Sequence, residues 1–299
     1  MMEGLFASWP IMRTVCFTFA LILTLHEPMA IDIPALWDYS KPADSETRFR
    51  AALNGASDDD AFILQTQIAR TFGLRRQFDT ARATLAPLES RLATASPEAQ
   101  VRYHLELGRS FASATHPRDN PLANRETARG HFMRAFSVAQ SAALDNLAID
   151  ALHMMPTVDT EPAQQLAWNE KALAYLEQST QPDAKRWEAS LRNNVGHARH
   201  LAGDYDEALR QYQLSLAAFD RAGNASNVRI AHWMIASTYR AQKRFDEAIA
   251  IQLRLEREWA AAGEPDPYVF EELEHLYRAT HDDENANLYQ ARLKAHTPQ

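Results

Sequence analysis

Cysteine is almost missing from this chain of 299 residues, where Cys16 stands alone. Cys16 falls in a leader-like stretch. A chain cut after Ala30 would therefore hold no thiol, which excludes disulfides, thiolate nucleophiles and cysteine zinc sites together. Glycine is scarce as well, at 9 residues. There is no glycine-rich phosphate loop, no serine elbow flanked by glycines and no His-Glu zinc-protease pair. The expectation is a non-enzyme with no cofactor and no metal. Positive charge is in deficit, with 31 Lys and Arg against 39 Asp and Glu and a formal net charge of −8. A nucleic-acid partner is disfavoured, because a phosphate backbone needs a concentrated basic surface. Long apolar runs are lacking too. The longest, TVCFTFALILTL after Met12 and Arg13, is too short for a comfortable membrane span.

That run has the plan of a secretory signal peptide: a short positive region, an apolar core, and Pro28-Met29-Ala30 as a cleavage site. Residues 1–30 are accordingly expected to be a signal peptide. The protein would then be periplasmic or secreted, with no stable membrane insertion after cleavage. The alternative is an uncleaved anchor at a membrane surface. Residues 31–60 are expected to form an N-terminal cap, with a short helix over SETRFRAALNG and Ala35, Leu36 and Trp37 packing on the first exposed hairpin. Ser57-Asp58-Asp59-Asp60 lacks the spacing and closing Glu of an EF-hand and suits the charged start of a helix beginning at Ala61.

What the chain has in abundance is repetition. In NVGHARHLAGDYDEALRQYQLSL, Gly196 and Ala208 lie twelve residues apart on two amphipathic segments. Gly203 between them can end one helix, and Asp204 with Glu207 can cap the next. Phe245-Asp246-Glu247-Ala248 repeats Tyr205-Asp206-Glu207-Ala208, and Phe78-Asp79-Thr80-Ala81 does so again. Six helical hairpins result, with first-helix markers at Ala69, Gly108, Ala151, Gly196, Ala236 and Glu274. The second carries an insertion, HPRDNPLA, in its turn, and the third turns between Pro156 and Pro162.

These residues resemble the tetratricopeptide repeat family: a small residue after an apolar one in the first helix (Val195-Gly196, Leu107-Gly108), an aromatic three later (Phe111, Tyr239, Phe72), and an alanine followed by an aromatic in the second (Ala208 and Tyr212, Ala128 and Phe132). The resemblance covers roughly residues 61–296, with repeats longer than the family's usual ~34 residues. It implies an all-α solenoid, a right-handed superhelix of about six hairpins over residues 61–299, whose first helices line a concave groove for a peptide or partner protein. It implies no reaction.

Taking the positions three before, one after and four after each marker as one helix face, the groove residues run from Thr66, Arg70 and Gly73, through Leu105, Arg109 and Ala112, to Ala148, Leu152 and Met155 in the third hairpin. The C-terminal half supplies Asn193, His197, His200, Trp233, Arg240, His275 and Arg278. Together with Arg109 these are the candidate ligand-binding residues, suited to an acidic or C-terminal segment of a partner. The alternative is that they are ordinary solvated groove residues, with Trp233 packed on the next hairpin. His197 and His200 could share a face and bind a metal with His275 or His232, but no carboxylate sits at a matching offset to complete such a site, so groove histidines are expected, while His104 and His153 are expected to point into hairpin interfaces. The function expected is a non-catalytic protein- or peptide-binding scaffold or assembly factor. The alternative function is a sensor for a small anionic ligand or metal in the same groove.

Overall fold

The repeat turns show why the chain folds back where it does. Gly203 takes the left-handed conformation, φ 80°, at the end of one helix, and the Asp204 carboxylate accepts the Glu207 amide at 3.4 Å to start the next. The computed structural model describes residues 31–117 and 119–296. The leader expected over residues 1–30 lies outside them, and Asp32 onward forms one compact unit.

Two short elements come first, α1 (Ile33–Leu36) and α2 (Pro42–Ala52). Hairpins then come in order: α3 (Asp58–Leu74) with α4 (Phe78–Leu85), α5 (Pro97–Phe111) with α6 (Leu122–Ser141), and α7 (Asp145–Met154) with α8 (Pro162–Gln178). A short α9 (Pro182–Lys185) precedes α10 (Glu188–Leu201) with α11 (Tyr205–Arg221), α12 (Ala225–Ala241) with α13 (Phe245–Ala261), and α14 (Pro267–Ala279) with α15 (Asp283–His296). Consecutive hairpin helices pack on one another, α8 directly on α10 while the short α9 packs on α7, and first helices touch in the pairs α3–α5, α5–α7, α10–α12 and α12–α14. The described residues are helical or irregular with no strand, so the chain is an all-α solenoid of six hairpins. None of the described helices is long and apolar enough to cross a membrane.

The hairpin contact is glycine against an aromatic ring. A Cβ on Gly196 would stand 2.8 Å from the ring of Tyr212, and one on Gly108 would stand 2.5 Å from that of Phe132. Both rings are fully buried, and burial of an apolar side chain of this size stabilises by roughly 1.5 to 3 kcal/mol. The small marker thus makes room for the aromatic four residues after the second helix's alanine, rather than only for that alanine.

The helix expected over SETRFRAALNG starts on different residues. Pro42 opens α2, three residues ahead of Ser45, because its fixed φ suits the first helical position. Ser57 caps α3, its hydroxyl accepting the Asp60 amide at 3.1 Å, so the three aspartates form the first turn, where the helix dipole favours them. The aspartate run is a helix start, and no metal-holding group of three or more His, Cys, Asp or Glu occurs among the described residues. At the start of the second hairpin's insertion, His116 stacks on Phe78 of α4 at a centroid distance of 3.7 Å.

Candidate functional site

The third hairpin decides where the groove lies. On α7 the expected face, Ala148, Leu152 and Met155, is fully buried or nearly so. Asn146, Asp150 and His153 line clefts instead. These are the same three helix positions shifted two residues upstream, which puts Ile149 where a small marker was expected. Ala151 mimics the marker in sequence, but it belongs to the core between α5, α6 and α7. Thr66, Leu105 and Ala112 are likewise buried, although Leu105 closes the cleft floor.

With that register, a belt of alternating charge crosses three first helices. Arg70 on α3 donates through Nη1 to Glu106 Oε1 on α5 at 3.1 Å. Arg109 on α5 donates to the same oxygen at 2.5 Å and, through Nη2, to Asp150 Oδ1 on α7 at 2.5 Å. Glu106 is 4% exposed and the Arg109 side chain 11%, so each charge depends on its partners. Burial opposes ionisation of Arg109, yet Asp150 and Glu106 outweigh it and hold the guanidinium above its usual value. Burial pushes the Asp150 carboxyl up, and Arg109 with Arg70 overcomes this to leave it below the ordinary carboxylate range. His153, one turn on, is held down first by burial and stays neutral at pH 7.

The belt separates two hollows. On one side is a cleft of about 430 Å³ bounded by Ile33, Trp37 and Tyr39 from the N-terminal segment, by the belt, and by Arg186, Trp187 and Ser190 before and at the start of α10. On the other is a cavity of about 210 Å³ lined by Gly73, Ser110, Thr115 and His153. The large cleft has rigid aromatic ends. Trp37 donates from Nε1 to Gln67 Oε1 at 3.0 Å and stacks on Tyr39 at 4.6 Å between centroids. The Arg70 guanidinium lies over both rings, 5.9 and 5.6 Å from their centroids. Trp187 donates to Asn146 Oδ1 at 2.8 Å.

The candidate residues read from sequence divide between two places. Arg109 sits in the belt, at the N-terminal half. The other seven lie on α10, α12 and α14, where several tie one first helix to the next. His200 Nδ1 meets Thr238 Oγ1 at 2.9 Å, and Trp233 Nε1 donates to the Tyr268 carbonyl at 3.2 Å. Arg240 binds the buried Glu272 through two nitrogens, at 2.6 and 3.2 Å. Arg278 pairs with Glu274, which also lies 3.6 Å from His275. Asn193 presents a buried Oδ1 without a hydrogen-bond partner, and His197 is exposed. The cations of this half therefore carry carboxylates of their own.

Sequence reasoning misses Trp37 and Tyr39 as cleft walls, and it misses Glu106, Asp150, Arg186 and Trp187 altogether. One signal is present: Asp150 is a lone acid in the apolar run NLAIDALHMM. Trp37 meets α3 of the first hairpin through Gln67 and Arg70, while also bounding the cleft.

Residues 187–256 match the tetratricopeptide repeat family. A comparison with curated protein sequences returns no match. Among solved structures, the chain is similar to a signal-transduction ATPase with a tetratricopeptide repeat sensor from Pyrococcus horikoshii, at 10% identity and a TM-score of 0.66 over 85% of this chain and 40% of that one. It is similar to a Rap protein complexed with Competence and Sporulation Factor at 13% identity and a TM-score of 0.53, over 85% of this chain and 79% of that one. It is also similar to the apo form of RapI, at 12% identity and 0.61, over 87% and 72%. The chain spans well under half of the first of these, and identities this low speak for the fold alone. Residues 187–256, within its fourth and fifth hairpins, match the tetratricopeptide repeat family in sequence, and the described residues share the all-α solenoid fold of these structures.

Proposed function

We propose that this protein is a non-catalytic scaffold that binds a segment of a partner protein in its concave groove, outside the cytoplasm if its leader-like first thirty residues direct export. The observation that carries this reading is the cleft of about 430 Å³ spanning α3, α5, α7 and α10. Four first helices and the N-terminal segment contribute to one open surface, with aromatic rings and arginines, the residue types that dominate binding hot spots. The titratable groups of its floor, Arg70, Glu106, Arg109 and Asp150, are arranged as neutralised pairs, which suits a rigid binding wall. One relative in fold, the Rap protein, is seen in a complex with Competence and Sporulation Factor, which supports a solenoid of this kind as a binding platform.

Site-specific photo-crosslinking tests the reading. A photoreactive residue in place of Ser190, in the cleft, is expected to capture a discrete protein in cells. The same residue in place of Arg210, exposed on α11, is expected not to capture it. Equal capture from both positions, or none from Ser190, would sink the groove as the working surface.

A further inference from the structure

The cleft's floor neutralises its own charge, and its rim does not. Glu106 and Asp150 are fully engaged by Arg70 and Arg109. Arg102 and Arg186 also face the cleft, but their partners lie outside it: Glu98 on Arg102, with a 40% exposed side chain, and Asp183 on Arg186, at 71%. Ion pairs so exposed contribute little and are easily exchanged. The lining thus holds four arginines against two carboxylates, on a chain whose formal net charge is −8. A long polyanion would meet the acidic remainder of the surface, whereas a short acidic segment meets only this local surplus.

Beside that surplus stand flat apolar faces. Tyr39 is 60% exposed, yet its ring is held parallel to Trp37, which is in turn fixed edge-on by Phe49 and by its hydrogen bond to Gln67. Trp187 is pinned at the far end by Asn146. Rings already ordered in the free protein lose little entropy when a partner covers them.

We propose that the cleft takes an acidic segment of a partner protein carrying an aromatic side chain, its ring covering the Trp37–Tyr39 stack and its carboxylates taking Arg102 and Arg186 from Glu98 and Asp183. This rests on the groove as the protein-binding surface and adds the partner's chemistry. It also makes the segment before the first repeat part of the binding surface, beyond its role as a cap.

The test uses the full chain against a displayed library of random dodecapeptides. The expected result is enrichment of sequences with several Asp or Glu and at least one Trp, Tyr or Phe. Affinity of a selected peptide, read by fluorescence anisotropy, is expected to fall about tenfold or more in Arg186→Glu and in Tyr39→Ser. Both residues are exposed, so the melting temperature should hold. Enrichment of basic or ring-free peptides, no enrichment, or indifference to both variants would overturn the proposal. If the Ser190 crosslink still captures a protein in that event, the scaffold reading survives and only the partner chemistry falls; if it captures nothing, both fall.

Discussion

At the scale of single residues, the sharpest chemistry outside the groove is a pair of imidazoles. His104 on α5 and His131 on α6 bring their Nδ1 atoms to 3.1 Å, so one proton is shared between them and a second has no place. Tyr103 and Glu89 lie beside them, and Arg134 adds a repelling charge. Burial first, then His131 and Arg134, lowers His104 to about 4. The unfolded chain takes up a proton near the ordinary histidine value of ~6.5, and the folded chain resists until about 4. Stability is therefore complete above pH 6.5 and drains away as pH falls toward 4, by roughly 3 kcal/mol for this group. Urea unfolding at neutral pH and near pH 4.5 measures it, with His104→Gln as the control. The parent should lose more stability than the variant over that interval. Equal losses would mean that the pair tolerates the second proton.

At the scale of elements, the turns repeat more faithfully than the sequence suggests. Arg76, Gly203, Lys243 and His281 hold the same left-handed position in four hairpin turns, with φ of 61, 80, 61 and 61°. Only one of them is glycine, and a side chain there is strained by about 1 kcal/mol. Lys243→Gly is expected to raise stability by a few tenths to ~1 kcal/mol, the gain being trimmed by glycine's greater freedom in the unfolded chain. Thermal unfolding checks it, and a lower melting temperature would show that the lysine's own contacts outweigh the strain. The hairpins are legible in the sequence because capping and the glycine-to-aromatic spacing are local signals. The register of α7 is not. Ile149 at the groove-marking position and Ala151 two residues later give an apolar periodicity that fits either phase, and only packing against α5, α6 and α8 selects one.

At the scale of the whole molecule, the six-hairpin architecture can be read from spacing, while the site cannot, because it is made by juxtaposition. Arg70 lies 36 residues from Glu106 and Arg109 lies 41 from Asp150, and Trp37 and Tyr39 precede the repeats altogether. Such distances belong to the stacking of hairpins. The same feature makes the site a test of how stability is shared along a solenoid, where each repeat feels chiefly its neighbours. Arg109→Met removes the central cation of the belt and leaves Glu106 and Asp150 with less compensation in a buried setting. Breaking a buried pair by deleting one partner costs about 3 to 5 kcal/mol, partly relieved here because Arg70 still reaches Glu106. Hydrogen exchange should show lost protection in α3, α5 and α7 and unchanged protection in α12 to α15. Uniform loss along the chain would instead mean that the solenoid opens as one cooperative unit, with the belt bracing hairpins it never touches.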